Sequence, residues 1–395
     1  MLLSKISLKN FRNHIDTSID LAPGLNIIYG SNGQGKSNFV ESIYLLAIGK
    51  TSRSSIDQEL VNYEINSGDN CSIKAIGSDG PILFNIEFEL KPDTKNLDSN
   101  MNDYKSYKYK KILKINGAKV SLNSFVGVFN VVMFEANDLM LIFGSPILRR
   151  RFLDILISQT DIQYLKALQR YNQVIKNRNR ILKNISLKNS SYNELKFWTD
   201  KLIEDGSMIM YSRHKIIHNL FYRTNILYDQ LSIENEKLEI IYHPNLRYPN
   251  DIDLKNQLIS KSDYEKLIFE SIERKKNDEL KLGTSLVGPH RDDLDIKLSG
   301  FNISNYASRG QIRSIVLALK LAEAEIISEI KESDPVIILD DVMSEMDSNR
   351  RRLVLELINN YDQVLITVPD RKLLDQPNLK YSKLFNVNKG KINIL

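Results

Sequence analysis

Hydrophobic and polar positions divide this chain into three regions of different rhythm. Near the start, "LSKISLKNF" (residues 3–11) alternates apolar and polar residues with period two, the pattern of a half-buried strand. "GLNIIYG" (24–30) is a short apolar run closed by a glycine turn, and "KYKKILKING" (108–117) is a strand pattern followed by another turn. Late in the chain "PVIILDD" (335–341) and "QVLITV" (363–368) are continuous apolar runs, as in strands of a sheet covered on both faces. Between these regions the rhythm changes. From Ile147 to His243 there is no proline, and Gly206 is the only glycine. Apolar residues there recur at helical spacing: Leu168, Tyr171, Ile175 and Leu182, then Leu195, Trp198, Leu202 and Ile209. This predicts two long helices folded against each other, with helix continuing to about residue 232. The fold class is therefore α/β: a head built from both ends of the chain and interrupted by an α-helical insertion lobe. The boundaries predicted are 1–134 for the N-terminal part of the head, 135–280 for the helical lobe and 281–395 for the C-terminal part.

Composition narrows this picture without changing it. The chain of 395 residues is 42% hydrophobic and 26% charged, with a mean hydropathy of −0.29, and its length suits two lobes. No apolar run approaches the ~18 residues of a membrane span, and the start is too polar for a secretory signal. A single cysteine, Cys71, excludes an internal disulfide and fits a reducing, cytoplasmic setting. The net charge of +5 permits a nucleic-acid partner without requiring one.

Candidate chemistry begins at "GSNGQGKS", Gly30, Ser31, Asn32, Gly33, Gln34, Gly35, Lys36 and Ser37. It matches G-x-x-x-x-G-K-[ST], with a predicted strand before it and the helical "KSNFVESIYLLAIG" after it. Glycines let backbone N–H groups curl around phosphate. Lys36 supplies charge for the terminal phosphates, and the Ser37 hydroxyl suits Mg²⁺. "VIILDD" adds an apolar strand ending in Asp340, placed to hold Mg²⁺, with Asp341 next to it to orient an attacking water. A second anion-binding feature follows at Ser308, Arg309, Gly310 and Gln311, the N-terminal end of "SRGQIRSIVLALKLAEAE". One nucleotide does not need two such sites in one chain. Two heads facing head-to-tail would use both, each offering residues 308–311 to its partner's ATP.

These residues resemble the ABC-type ATPase heads, in which a signature loop completes a partner's site, and more closely the RecF family. The blocks that carry the resemblance are "LKNFRNH" with "PGLNIIYGSNGQGKSNFVESIYLLAIGKTSR", then "GSPILRRRFLD", "VGPHRDDL", "SRGQIRSIVLALKLAEAE" and "ILDDVMSEMD", in that order. The resemblance implies an ABC-type P-loop ATPase head with ATP and Mg²⁺ as cofactors. It makes Ser308 to Gln311 the signature loop, with Arg309 where most ABC proteins have glycine. Asp341 stands where most relatives carry a glutamate base, which implies slow hydrolysis. Asp347 would lie at the dimer seam, and Arg12 and Asn13 near the base or sugar. The implied biology is an ATP-dependent homodimer that clamps single-stranded or gapped DNA in recombinational repair. It would act with RecR and RecO in loading RecA and in SOS induction. Two features depart from the pattern. Val368 stands at the usual switch histidine, leaving Thr367 as the polar candidate. "FEANDL" (134–139) lacks the usual proline, leaving the roles of Asn137 and Asp138 open.

A DNA surface has one main candidate, with a solvated helix face as its alternative. Residues 146–190 hold ten Lys and Arg against Asp154 and Asp161, so this arm alone is more positive than the whole chain. Arg149, Arg150, Arg151, Arg170, Lys176, Arg178 and Arg180 are the candidate phosphate contacts. "YKSYKYKK" (104–111) interleaves tyrosine and lysine, though a lysine-protected edge strand explains it as well. His214 and His218 are four apart, but the absence of a third ligand favours a helix surface over a metal site. "GPHRDD" (288–293) suggests a turn, with His290 and Arg291 given no fixed role. Competing readings are an ABC transporter ATPase subunit, which needs a membrane partner, and a structural SMC-like chromosome protein, which needs long coiled-coil arms. A small-molecule P-loop kinase would have no use for residues 308–311.

Overall fold

The structure, a computed structural model, describes residues 1–51, 53, 56–62, 69–93, 109–187, 191–232, 236–248, 257–374 and 381–394. The chain forms two compact units, one of Met1–Asp138 with Glu323–Leu395 and one of Leu139–Ala322.

The first unit opens with β1 (Leu2–Phe11), β2 (His14–Asp20) and β3 (Gly24–Tyr29), followed by α1 (Lys36–Ile48). Strands β4 (Cys71–Asp79), β5 (Ile82–Pro92), β6 (Tyr109–Ile115) and β7 (Ala118–Val120) then join β1 and β2 in one antiparallel sheet of order β2-β1-β4-β5-β6-β7. α2 (Leu122–Phe125) and β8 (Val131–Glu135) close this part. α1 is apolar nearly all round, with Phe39, Val40, Ile43, Leu45 and Leu46 fully buried, which a helix sustains only inside a core. It ends at Gly49 in the left-handed conformation, the stop that its sequence predicts.

The second unit contains α3 (Met140–Phe143), α4 (Pro146–Thr160), α5 (Ile162–Ser186), α6 (Tyr192–Leu231), β9 (Leu238–His243), α7 (Lys261–Leu282), β10 (Asp293–Leu298), β11 (Phe301–Asn302) and α8 (Ile303–Tyr306). The breaker-free stretch holds three helices rather than two. Asp161 accepts the backbone N–H groups of Gln163 and Tyr164, which starts α5 afresh and splits α4 from it. The two long helices, α5 and α6, pack together as predicted, with Tyr171, Leu182, Leu195, Leu202 and Ile209 buried.

The second predicted boundary, at 281, needs correction. β10 pairs with β9 along its whole length, from Asp293 opposite His243 to Leu298 opposite Leu238, so this return segment belongs to the helical unit. The division falls instead within α9 (Arg309–Lys331), between Ala322 and Glu323. The first boundary lies at Asp138 rather than 134.

The chain then completes the first unit with β12 (Val336–Asp340), α10 (Ser348–Ile358), β13 (Gln363–Val368), β14 (Lys383–Asn388) and β15 (Lys391–Ile394). The resulting sheet has the order β15-β14-β3-β13-β12-β8, parallel from β14 to β8. Val336 to Leu339 are fully buried, as the continuous apolar run requires for a strand covered on both faces. α1 packs against β12 and β13 as well as against β4 and β5 of the other sheet. The carboxyl ends of β3 and β12 emerge on one edge, where open α/β sheets hold their ligands.

Candidate nucleotide site

Gly30 to Ser37 connect β3 to α1. Gly30, Gly33 and Gly35 hold φ values of 155°, 78° and 112°, conformations that suit glycine and let successive N–H groups line an anion cradle. Lys36 is 5% exposed, and its ammonium donates to the carbonyls of Gly30 at 2.7 Å and Ser31 at 3.2 Å, spanning the loop. Burial draws the Lys36 pKa below the ordinary lysine value, an effect that the nearby Asp341 and Asp340 carboxylates oppose.

Asp340 ends β12, and its carboxylate collects three groups. Oδ1 accepts from the Ser37 hydroxyl at 3.0 Å and from the Thr367 hydroxyl at 2.6 Å. Oδ2 accepts from Arg53 at 2.6 Å, and Arg53 also reaches Glu135 at 3.3 Å. Thr367 in turn accepts the Asp341 N–H at 3.0 Å, so one hydroxyl ties both aspartates to β13. Asp341 itself has φ 56°, a left-handed conformation that aspartate tolerates better than most residues. Its Oδ1 accepts from the Ser344 hydroxyl at 2.9 Å. The glycine cradle with its buried lysine fits a polyphosphate. The hydroxyl of Ser37 beside the carboxylate of Asp340 fits Mg²⁺, a hard cation that takes oxygen donors.

Arg53 and Glu135 are the members of this cluster that sequence reasoning missed. A signal existed for Glu135: "VVMFE" repeats the pattern of "VIILD", an apolar strand ending in a carboxylate, and the two residues pair across β8 and β12. Val368 is fully buried, and Thr367 takes the polar role beside it. Asp138 turns back to accept the Glu135 N–H at 2.8 Å, and Asn137 is exposed.

The Arg12 guanidinium binds the buried Glu41 of α1 at 3.1 and 2.9 Å and the Glu59 carbonyl at 2.9 Å, which fixes its position beside the loop's helix. Asn13 does lie at the loop, donating to the Gln34 carbonyl at 3.1 Å and accepting from Asn38 at 2.8 Å.

In the second unit, Ser308 and Gln311 form a capping box at the start of α9. The Ser308 N–H donates to the Gln311 side chain at 2.7 Å, and the Gln311 N–H donates to the Ser308 hydroxyl at 3.2 Å. Ser308 and Arg309 are exposed, while Gly310 and Gln311 are half-buried. Asp347, in the first unit, caps α10 by accepting the Arg350 N–H at 2.9 Å. That bond holds its carboxyl below the ordinary aspartate range.

The basic arm is less available than its sequence implies. Arg178 is 1% exposed and binds Glu279 at 2.6 Å, Ser285 at 2.7 Å and Thr199 at 3.1 Å; as a buried ion-pair residue it is not a DNA contact. Arg149 forms a two-pronged pair with Asp293 at 2.7 and 2.9 Å, and Arg150 donates to the Asp292 carbonyl at 2.6 Å. Arg170 holds Asp205 at 2.5 Å from an exposed position. Arg151, Lys176 and Arg180 are exposed. Of "YKSYKYKK", residues 104–108 lie outside the described residues, and Tyr109 begins β6. His214 is buried rather than on the helix surface, hydrogen-bonded to the Tyr264 hydroxyl at 2.8 Å, whereas His218 is exposed. His290 lies 2.7 Å from the Tyr171 hydroxyl, and Arg291 donates to the Ser285 carbonyl, so both serve the turn itself.

Comparison with known proteins agrees with this geometry. The family described as RecF/RecN/SMC N terminal domain matches residues 2–393. The DNA replication and repair protein RecF of Acetivibrio thermocellus is 35% identical over 395 residues, covering 99% of each chain. RecF of Bacillus thuringiensis is also 35% identical, over 397 residues, covering 100% of this chain and 98% of its own. A solved structure described as the recombination mediator protein RecF-ATPrS in the RecFOR pathway superposes with a TM-score of 0.85 at 31% identity, over 100% of this chain and 98% of that one. An Smc head domain from Pyrococcus furiosus shares the fold alone, with a TM-score of 0.54 at 16% identity over 100% of this chain and 95% of that one. The chain belongs to the RecF family of ABC-type ATPases, within the wider group of RecF, RecN and SMC N-terminal domains.

Proposed function

We propose that this protein is an ATP-driven DNA-binding switch of replication and recombinational repair. One observation carries the reading: the Ser37 hydroxyl and the Asp340 carboxylate, 303 residues apart in sequence, meet at 3.0 Å beside the buried Lys36. Relatives are named for DNA replication and repair, and similar structures are described with ATP and ATPrS in the RecFOR pathway.

Gly30 to Lys36 hold the phosphates, and Ser37 and Asp340 are the residues that would hold Mg²⁺. When bound there, Mg²⁺ neutralises charge developing on the phosphates. Lys36 contributes its ammonium to the same end, and Asp341 accepts a proton from the attacking water. Aspartate is one methylene shorter than the glutamate usual at this position, which favours slow turnover and a long-lived ATP state. The terminus formed by Ser308 to Gln311 of a second copy meets the γ-phosphate through the N–H groups of Arg309 and Gly310, those of Ser308 and Gln311 being held in the capping box, and Asp347 lies at the seam. The closed dimer clamps single-stranded or gapped DNA through sequence-independent phosphate contacts, and hydrolysis releases it. RecR and RecO are the proposed partners in RecA loading and SOS induction, in the cytoplasm. Among the described residues no helix is long and apolar enough to cross a membrane, and the longest, α6, has 40 residues, far short of an SMC arm.

The test is molar mass by light scattering with Mg-ATP, with Mg-ADP and without nucleotide. A dimer with ATP alone, abolished by Lys36→Arg and by Ser308→Arg, is expected. A monomer throughout, or a dimer indifferent to nucleotide, would sink the clamp.

A further inference from the structure

The far end of the chain holds the phosphate loop from behind. β14 runs parallel to β3 with Asn386 opposite Tyr29, so it leaves the sheet beside the loop. Asn388 pairs with Lys391 across a two-residue turn, and Lys389 and Gly390 have φ values of 47° and 74°. Left-handed conformations at both central residues mark a tight hairpin turn whose twist matches its strands. That turn presents its backbone to the loop. The Gly390 N–H donates to the Gln34 carbonyl at 2.9 Å, and the Lys389 N–H donates to the Gln34 side-chain oxygen at 2.8 Å.

His14 completes the arrangement. It is fully buried, with Nδ1 2.7 Å from the Gly390 carbonyl and Nε2 3.1 Å from the Gly35 carbonyl. The imidazole thus stands between the turn and the last glycine before Lys36. The Thr17 hydroxyl donates to the same Gly390 carbonyl at 3.1 Å. The fit has no slack: a Cβ on Gly390 would lie 2.0 Å from the Asn13 carbonyl, and one on Gly30 would lie 2.3 Å from the Val387 carbonyl. A phosphate cradle works only if its N–H groups keep their directions, and in this loop those directions are set at Gln34 and Gly35 by groups outside the motif.

We propose that His14 and the Lys389–Gly390 turn form a brace that fixes the phosphate-loop backbone, making them positioning residues for nucleotide. This rests on the reading that residues 30–37 bind ATP. The brace acts before chemistry, so it governs the affinity for ATP and ADP alike and leaves turnover at saturating ATP nearly unchanged.

Fluorescent ATP and ADP titrations, saturating turnover and thermal melts on the full chain test this. His14→Phe keeps a ring without hydrogen bonds, and Gly390→Ala pushes the turn off Asn13. Each is expected to weaken both nucleotides about tenfold, the worth of one net hydrogen bond, since a neutral imidazole donates through one nitrogen only. His14→Gln, which retains a donor, recovers most of the affinity. Where His14→Phe fails to fold, Thr17→Val carries the same expectation at about threefold, since it deletes a single bond to Gly390. Folded variants that bind as tightly as wild type would overturn the brace, as would a loss that His14→Gln does not recover. A wild type that binds no ATP would instead overturn the reading on which the brace rests.

Discussion

Single side chains in the helical unit show how a charge is used by what surrounds it. Arg178 and Glu279, each 1% exposed, neutralise one another inside the unit, with Thr199 and Ser285 completing the guanidinium's bonds. Removing one member of such a pair strands the other. Arg178→Leu is therefore expected to lower unfolding stability by about 3–5 kcal/mol in urea titrations, with DNA affinity of the folded fraction unchanged. A stable Arg178→Leu with weakened DNA binding would reverse that assignment. His290 gives a pH effect of known sign. Burial pushes its pKa down to about 4, against an ordinary 6.5, with the neighbouring Arg291, Arg150 and Arg178 adding to the shift. Between those values the unfolded chain takes up a proton that the folded chain refuses, so stability is full above pH 6.5 and falls as pH drops toward 4. The slope is about 1.4 kcal/mol per unit for one group. His14 titrates in the same direction because it too is buried, so the contribution of His290 is read as the difference between wild type and His290→Gln. Parallel stability curves for the two would show that His290 titrates normally.

At the scale of elements, the α9 terminus meets one structural need and, in the proposed dimer, a second. Its capping box closes the helix within the chain through Ser308 and Gln311, while Ser308 and Arg309 are exposed, where the proposed dimer would use them. The roles separate by substitution. Ser308→Ala deletes the cap and is expected to cost about 1 kcal/mol in stability, with ATP-driven dimerisation weakened rather than lost, because the N–H groups remain. Ser308→Arg blocks dimerisation by bulk. Equal loss of dimer in both variants would mean that the hydroxyl itself makes the decisive contact. Elements also show what was legible in the sequence. β1, β3, β6, β12, β13 and α1 follow from local pattern, since period-two alternation, apolar runs and a glycine stop are written within each segment. The phosphate loop and Asp340 were legible for the same reason. The hairpin of β4 and β5, the β9–β10 pair and the β14–β15 turn were not. β9 and β10 are about fifty residues apart in sequence, and the turns of the β4–β5 and β14–β15 hairpins signal a reversal without saying what they touch. Arg53 and His14 escaped because a charge or an imidazole acquires meaning only from its neighbours across the fold. Arg178 misled for that reason: a run of arginines on α5 does not reveal which one faces Glu279.

For the whole molecule, the decisive quantity is how many cations one chain can offer to a phosphate backbone. A net charge of +5 is modest, and the basic arm has committed Arg149, Arg150, Arg170 and Arg178 to its own carboxylates and carbonyls. Lys176 and Arg180 are exposed. If DNA lies on this arm, a single chain should show a shallow salt dependence, because each neutralised phosphate adds roughly 0.7–0.9 to the slope of log affinity against log salt. Two copies joined by ATP, as proposed, would present twice as many contacts to one strand. The slope measured by fluorescence anisotropy on a single-stranded oligonucleotide should therefore be about twice as steep with Mg-ATP as with Mg-ADP. Substituting Lys176 and Arg180 together by alanine should reduce the ATP-state slope by about three units, two contacts of roughly 0.7 each on each of two copies. A slope indifferent to nucleotide would mean that DNA is held by one chain at a time. A steep slope that survives the double substitution would move the DNA surface off the helical arm.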